Sequence, residues 1–127
     1  MTPEVTEHLD KARECLTRAR IILAAGVAED AARDAYLAAF HAAQALIGER
    51  TGKNAKTHKG VHIAFARLTK DEPRIDTKLR RFLPQSFNMK AVADYELGPD
   101  AVIPMEQAAA AIETASCFVA SIEELLG

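Results

Sequence analysis

The chain has 127 residues, 49% of them hydrophobic, and its 16 Lys or Arg against 18 Asp or Glu give a net charge of −2. That length suits one compact domain with a real core and is too short for two comfortable ones. No run of about 18 apolar residues occurs, and the start MTPEVTEHLDKARE is charged and lacks the apolar centre of a signal peptide, so a cytoplasmic protein with no membrane association is expected.

Alanine occurs 25 times, and Leu, Glu, Lys and Arg supply much of the rest, a composition that favours helices. Clusters of β-branched and aromatic residues that would mark strands are missing. The first helix is expected from about Pro3 to Ala25, capped by Thr2, with Pro3 suited to the first turn. Val5, Leu9, Ala12, Leu16, Ala19 and Leu23 form its narrow apolar seam, and Gly26 ends it. The second covers about Glu29 to Arg50. Its Ala35, Ala39, Ala42 or Ala43, and Leu46 let a neighbouring helix approach closely. The third covers about His58 to Lys70 and buries Val61, Phe65 and Leu68. The fourth covers about Asp76 to Tyr95, with a kink or interruption expected near Arg80 to Phe82 because Pro84 lies inside it. LGPDAVIP is the next break. The fifth starts near Pro104 and runs to Leu126, with a stripe of Ala108, Ala111 or Ile112, Ala115, Val119, Ile122 and Leu126. Short connections make neighbours antiparallel. The expected fold is all-α: an up-down bundle of four long helices plus one shorter helix, a single domain over residues 1–127. Cys15 and Cys117 have no metal-type spacing and read as buried free thiols.

Charge is unevenly spread. From Arg50 to Lys90 there are eleven basic residues and three acids, a net of +8, and the remainder carries −10. Such asymmetry points to an anionic partner such as RNA, a nucleotide or an acidic protein. Internal pairing of the basic middle with the other helices would account for it equally well. Lys53, Lys56, His58 and Lys59 surround the start of the third helix, where lysines and backbone N–H groups could together hold a phosphate.

His58 and His62 sit four apart, so their rings can share one helix face. Zinc would need further ligands, and no metal site is expected. His41, among small apolar residues, reads as a hydrogen-bonded core or interface residue. There is no phosphate-binding loop of the Walker type and no nucleophile elbow. No cofactor is expected.

RDAYLAAFHAAQALI, then KTHKGV, then MKAVADY and a last amphipathic helix resemble the HEPN superfamily, in its branch of small prokaryotic proteins, over about residues 8–126. The resemblance implies a helical bundle that usually dimerises. Many such proteins are metal-independent endoribonucleases or toxins, and many are partnered by a small nucleotidyltransferase that acts as the antitoxin. The family's ribonucleases carry an arginine, four to six residues, then a histidine. Here Lys90 sits at the arginine position and Tyr95, after Asp94, at the histidine position. Arg33 and Arg50 are each followed by histidine only after seven intervening residues, so the literal motif is absent.

The departure has chemical content. Lysine offers phosphate a point charge where arginine offers a planar fork, and tyrosine is a poor base at neutral pH. The expectation is a homodimeric protein of a toxin–antitoxin-like or nucleotidyltransferase-linked system. It would bind RNA, a nucleotide or a protein partner, with Lys90, Asp94 and Tyr95 as a degenerate site and little or no ribonuclease activity. A metal-independent endoribonuclease with a variant site is one alternative. A dimerising helical adaptor without a ligand is another, in which Lys90, Asp94 and Tyr95 are a surface ion pair and a helix-end tyrosine.

Overall fold

The computed structural model describes residues 1–98 and 102–127. They form five helices: α1 (Pro3–Ala24), α2 (Ala28–Thr51), α3 (His58–Thr69), α4 (Thr77–Tyr95) and α5 (Met105–Leu126). The fold is an all-α bundle with α3 as the short member. The LGPDAVIP break separates α4 from α5, and its Pro99, Asp100 and Ala101 lie outside the described residues.

Local chemistry sets the helix ends. Thr2 Oγ1 accepts the Val5 N–H at 3.2 Å, Thr57 Oγ1 accepts that of Gly60 at 2.9 Å, and Asp76 Oδ1 accepts that of Leu79 at 2.8 Å. Each satisfies one of the orphan donors of a first turn. At the end of α1, Gly26 adopts φ 86°. The Gly26 and Val27 N–H groups then return to the Leu23 and Ile22 carbonyls at 2.9 and 3.2 Å, closing a Schellman turn.

Helix α2 is the spine and packs against each of the other four. Alanines 28, 31, 32, 35, 38, 39, 42, 43 and 45 are all buried along it. Small residues on several faces let neighbours approach from more than one side. Gly48 marks a close approach of α1, since a Cβ there would lie 3.2 Å from Val5 Cγ2. Val5, Leu9, Ala12 and Ala19 of α1 are buried, as are Ala108, Ala111, Ile112, Ala115, Val119 and Ile122 of α5. Leu16, Leu23 and Leu126 are partly buried against that core. The apolar seams are thus used within the chain. Cys15 is buried as expected, whereas Cys117 is exposed on α5.

Helix α4 runs through Pro84 as one element, so of the kink or interruption expected near Arg80 to Phe82 the interruption does not occur. A proline inside a helix costs about 3 kcal/mol. Leu79, Phe82 and Leu83 of the same turns are buried, at roughly 1.5–3 kcal/mol each, which outweighs it. Pro84 itself faces solvent, and the Ser86 hydroxyl donates to the Phe82 carbonyl at 2.6 Å, tying the turn together. No helix among the described residues is long and apolar enough to cross a membrane.

Candidate functional site

Three helices bring polar groups to one side of the bundle. On α2, Asp30, Arg33, Tyr36 and Phe40 follow each other at intervals of three or four and so share a face. On α4, Phe87, Lys90 and Asp94 do the same. On α3, His58 and His62 are one turn apart. Because α2 packs on both α3 and α4, these three rows meet.

The outer part of the cluster is ionic. Lys90 Nζ donates to Asp94 Oδ2. Arg33 Nε donates to the other oxygen, Oδ1, at 2.7 Å, and its Nη1 reaches Asp30. The bond from Lys90, with help from Arg33, holds the Asp94 carboxyl below its ordinary range despite partial burial. Asp94 is therefore held ionised as a clamp between the two cations, and is a weaker base than a free carboxylate. Two cations and two carboxylates leave this part formally neutral.

One turn deeper the cluster is aromatic and neutral. Tyr36 is fully buried, and its hydroxyl lies 2.7 Å from His58 Nδ1 and 3.0 Å from His62 Nε2. A buried hydroxyl left unpaired would cost about 1–3 kcal/mol, so the two rings complete the core as well as lining the surface. Phe87 packs on both, with ring centroids 5.2 Å from His58 and 5.4 Å from His62. Phe40 sits 4.6 Å from His58. Burial raises the Tyr36 hydroxyl above its usual range. Burial first, and the charge of Lys90 second, hold His58 below its ordinary value. Burial first, then His58, does the same to His62. Both rings are therefore neutral at neutral pH.

Residues 5–125 match the HEPN domain. The chain belongs to the HEPN family. A protein of Methanocaldococcus jannaschii named "Putative toxin MJ0605" is 31% identical over 123 residues, which span 97% of this chain and 89% of that protein.

Within this HEPN chain the expected site residues separate. Lys90 and Asp94 are paired, each with a side chain 18% exposed. Tyr95 is 77% exposed and bonds neither of them among the described residues. Lys53, Lys56 and Lys59 are exposed around the start of α3, and His58 is half-buried beside them. Sequence reasoning missed Arg33, Tyr36 and Asp30, which come from α2, and weighed His62 only as a metal ligand. The spacing of Arg33 and Tyr36 was the available sign: two polar side chains three apart share one face of an alanine-rich helix. Among the described residues no group of three or more His, Cys, Asp or Glu is placed to hold a metal ion.

The cations of this HEPN protein follow two patterns. Outside Arg50–Lys90, Lys11, Arg13, Arg18, Arg20 and Arg33 all pair with carboxylates. Of the basic residues inside that segment, Arg74 and Lys90 alone do so among the described residues. Arg80 instead donates to the Thr69 and Lys70 carbonyls at 3.1 and 3.0 Å. A second histidine pair, His8 and His41, meets Nδ1 to Nδ1 at 3.1 Å between α1 and α2. Burial, then His8 and Lys11, push His41 down to about 4.

Proposed function

We propose that this HEPN protein is the toxin-like component of a two-part system and binds RNA through the basic segment Arg50–Lys90. The observation that carries the reading is the unpaired state of that segment. None of its basic residues pairs with an acid of α1, α2 or α5 among the described residues. A segment with a net charge of +8, most of whose cations find no carboxylate among the described residues, attracts a polyanion and steers it inward. Lys53, Lys56 and Lys59 are spread along the loop and first turn of α3, a spacing that suits successive phosphates. The HEPN domain and the toxin named among its relatives support the toxin-like role. The partner that restrains it would be a small nucleotidyltransferase. A neighbouring gene for one supports that assignment, and a neighbourhood without one counts against it.

The direct test is fluorescence anisotropy with a random-sequence RNA pool. Lys53→Glu, Lys56→Glu and Lys59→Glu together should weaken binding by at least roughly tenfold, because three phosphate contacts become repulsive. The fold should survive, since all three side chains are exposed and a glutamate in the first turn of α3 suits the helix dipole. Unchanged affinity in the triple variant would remove this surface from the account.

We also propose that two copies associate. The α1, α2 and α5 seams are used internally, so the interface would rest on Ile21, Leu97, Val102 and Met105, large apolar side chains left at the surface. Sedimentation equilibrium at tens of micromolar should give the dimer mass, and a glutamate at Leu97 or Val102 should lower it. A monomer mass throughout would rule the association out.

A further inference from the structure

We propose that Tyr36, His58 and His62 form an acid-sensitive latch: their shared hydrogen bonds fasten the N-terminal half of α3 to α2 while the rings are neutral, and release it once both are protonated. The latch is a device of the fold and stands apart from RNA binding.

Helix α3 is lightly held. Its buried residues are Val61, Phe65 and Thr69. It packs on α2 and α4, and Phe65 reaches Phe118 of α5, with ring centroids 5.0 Å apart. At its C-terminal end Arg80 donates to the Thr69 and Lys70 carbonyls. In its N-terminal half, the side-chain hydrogen bonds to another helix among the described residues are those of Tyr36 with His58 Nδ1 and His62 Nε2, at 2.7 and 3.0 Å.

The Tyr36 hydroxyl has one proton and faces two ring nitrogens. It donates to one ring, and the other ring donates to it. The donating ring carries its lone pair on the outward nitrogen, so it takes a further proton there and keeps its bond to Tyr36. The accepting ring carries its lone pair on the inward nitrogen, against the hydroxyl. A proton added there turns the acceptor into a second donor. Two N–H groups then point at one oxygen, and the hydroxyl proton of a fully buried tyrosine loses its acceptor. Two neighbouring rings packed against Phe40 and Phe87 would also both be charged, which burial disfavours. The latch therefore tolerates one proton and fails on the second.

The sign follows from the docked and undocked states. Docked, both rings sit below their ordinary values, through burial first, then Lys90 at His58 and His58 at His62. Undocked, they return to about 6.5. Undocking therefore takes up protons in acid. The contribution of the latch is fully present above about pH 6.5 and is lost as pH falls from there toward the lowered values. Lys90 on α4 is clamped by Asp94, and Arg33 on α2 is shared between Asp94 and Asp30. Lys59 on α3 itself is exposed. His41, pushed down to about 4, also disfavours the fold in acid. It lies between α1 and α2, against His8, so its protonation bears on the whole bundle and not on α3 alone.

The test is amide hydrogen exchange on the full chain across the acid range, read as protection factors so that the intrinsic pH dependence of exchange divides out. Amides in the first two turns of α3 should lose protection below about pH 6.5, by up to tenfold per pH unit for each proton taken up on undocking. They should do so while α5 stays better protected. His58→Gln together with His62→Gln keeps side chains that donate and accept but do not titrate, and should flatten the fall. His41→Gln should leave it in place. Should the paired variant lose its helical circular dichroism, the parent chain decides by ring-proton NMR. The two histidines should then titrate in separate steps, with α3 protection kept through the first and lost with the second. Protection of α3 that ignores pH, or a fall that persists in the glutamine pair, would overturn the latch. So would a fall abolished by His41→Gln, a loss shared in step and at one level by α3 and α5, or two protonated rings under a still-protected α3.

Discussion

The bundle handles charge in two ways. Outside Arg50–Lys90 every cation meets a carboxylate among the described residues, and several of the pairs cross between helices. Arg20 joins Glu113 at 2.8 Å, Arg18 joins Asp34 at 3.1 Å, and Arg13 joins Glu123. In the segment from the end of α2 through most of α4, cations outnumber acids eleven to three, and most find no acid. Composition alone favours pairing in the first region, where acids are in excess. It does not force the second region to stay open, because the spare acids of α1, α2 and α5 were free to close over it. In one region charge helps register the helices; in the other it is left for something outside the chain.

The contrast can be broken at its seam, where Arg33 of the first region and Lys90 of the second share Asp94. Asp94→Ala should lower stability by about 1–2 kcal/mol, since two partly buried cations lose their common partner. The same change should tighten RNA binding and steepen its salt dependence by roughly 0.7 per freed cation that engages phosphate. Thermal melts and anisotropy titrations on one preparation would read both. A variant that loses stability with no gain in RNA affinity would place Lys90 and Arg33 outside the binding surface.

A smaller effect sharpens the other half. Arg20→Ala breaks an exposed cross-helix pair and should cost no more than about 0.5–1 kcal/mol. RNA affinity should stay within about twofold of the parent, because Arg20 lies outside the open region. A large fall in affinity in this variant would show that the two regions do not divide the work as described.

Helix ends were legible because their chemistry is local. Thr2 is a capping residue read directly from the sequence, Thr57 and Asp76 cap α3 and α4 by the same local chemistry, and Gly26 needs the left-handed conformation it adopts. The interruption allowed at Pro84 does not occur because the burial of Leu79, Phe82 and Leu83 outweighs the proline's propensity. The Lys90–Asp94 pair was legible because a spacing of four returns to the same face. Tyr95 was not, for the same geometric reason: one further residue turns the side chain by roughly 100°, out into solvent. Arg33 and Tyr36 are separated from their partners by 61 and by 22 or 26 residues. No local spacing announces such contacts; they exist only once α2 is the spine on which α3 and α4 both pack.

The salt dependence of RNA binding tests the open half most directly. If about four cations contact a single strand, log affinity against log salt should have a slope of about −2.8, so that doubling the salt weakens binding roughly sevenfold. A slope near that value supports a cationic surface kept open for RNA. Binding that is flat with salt, or no binding at low salt, would contradict it.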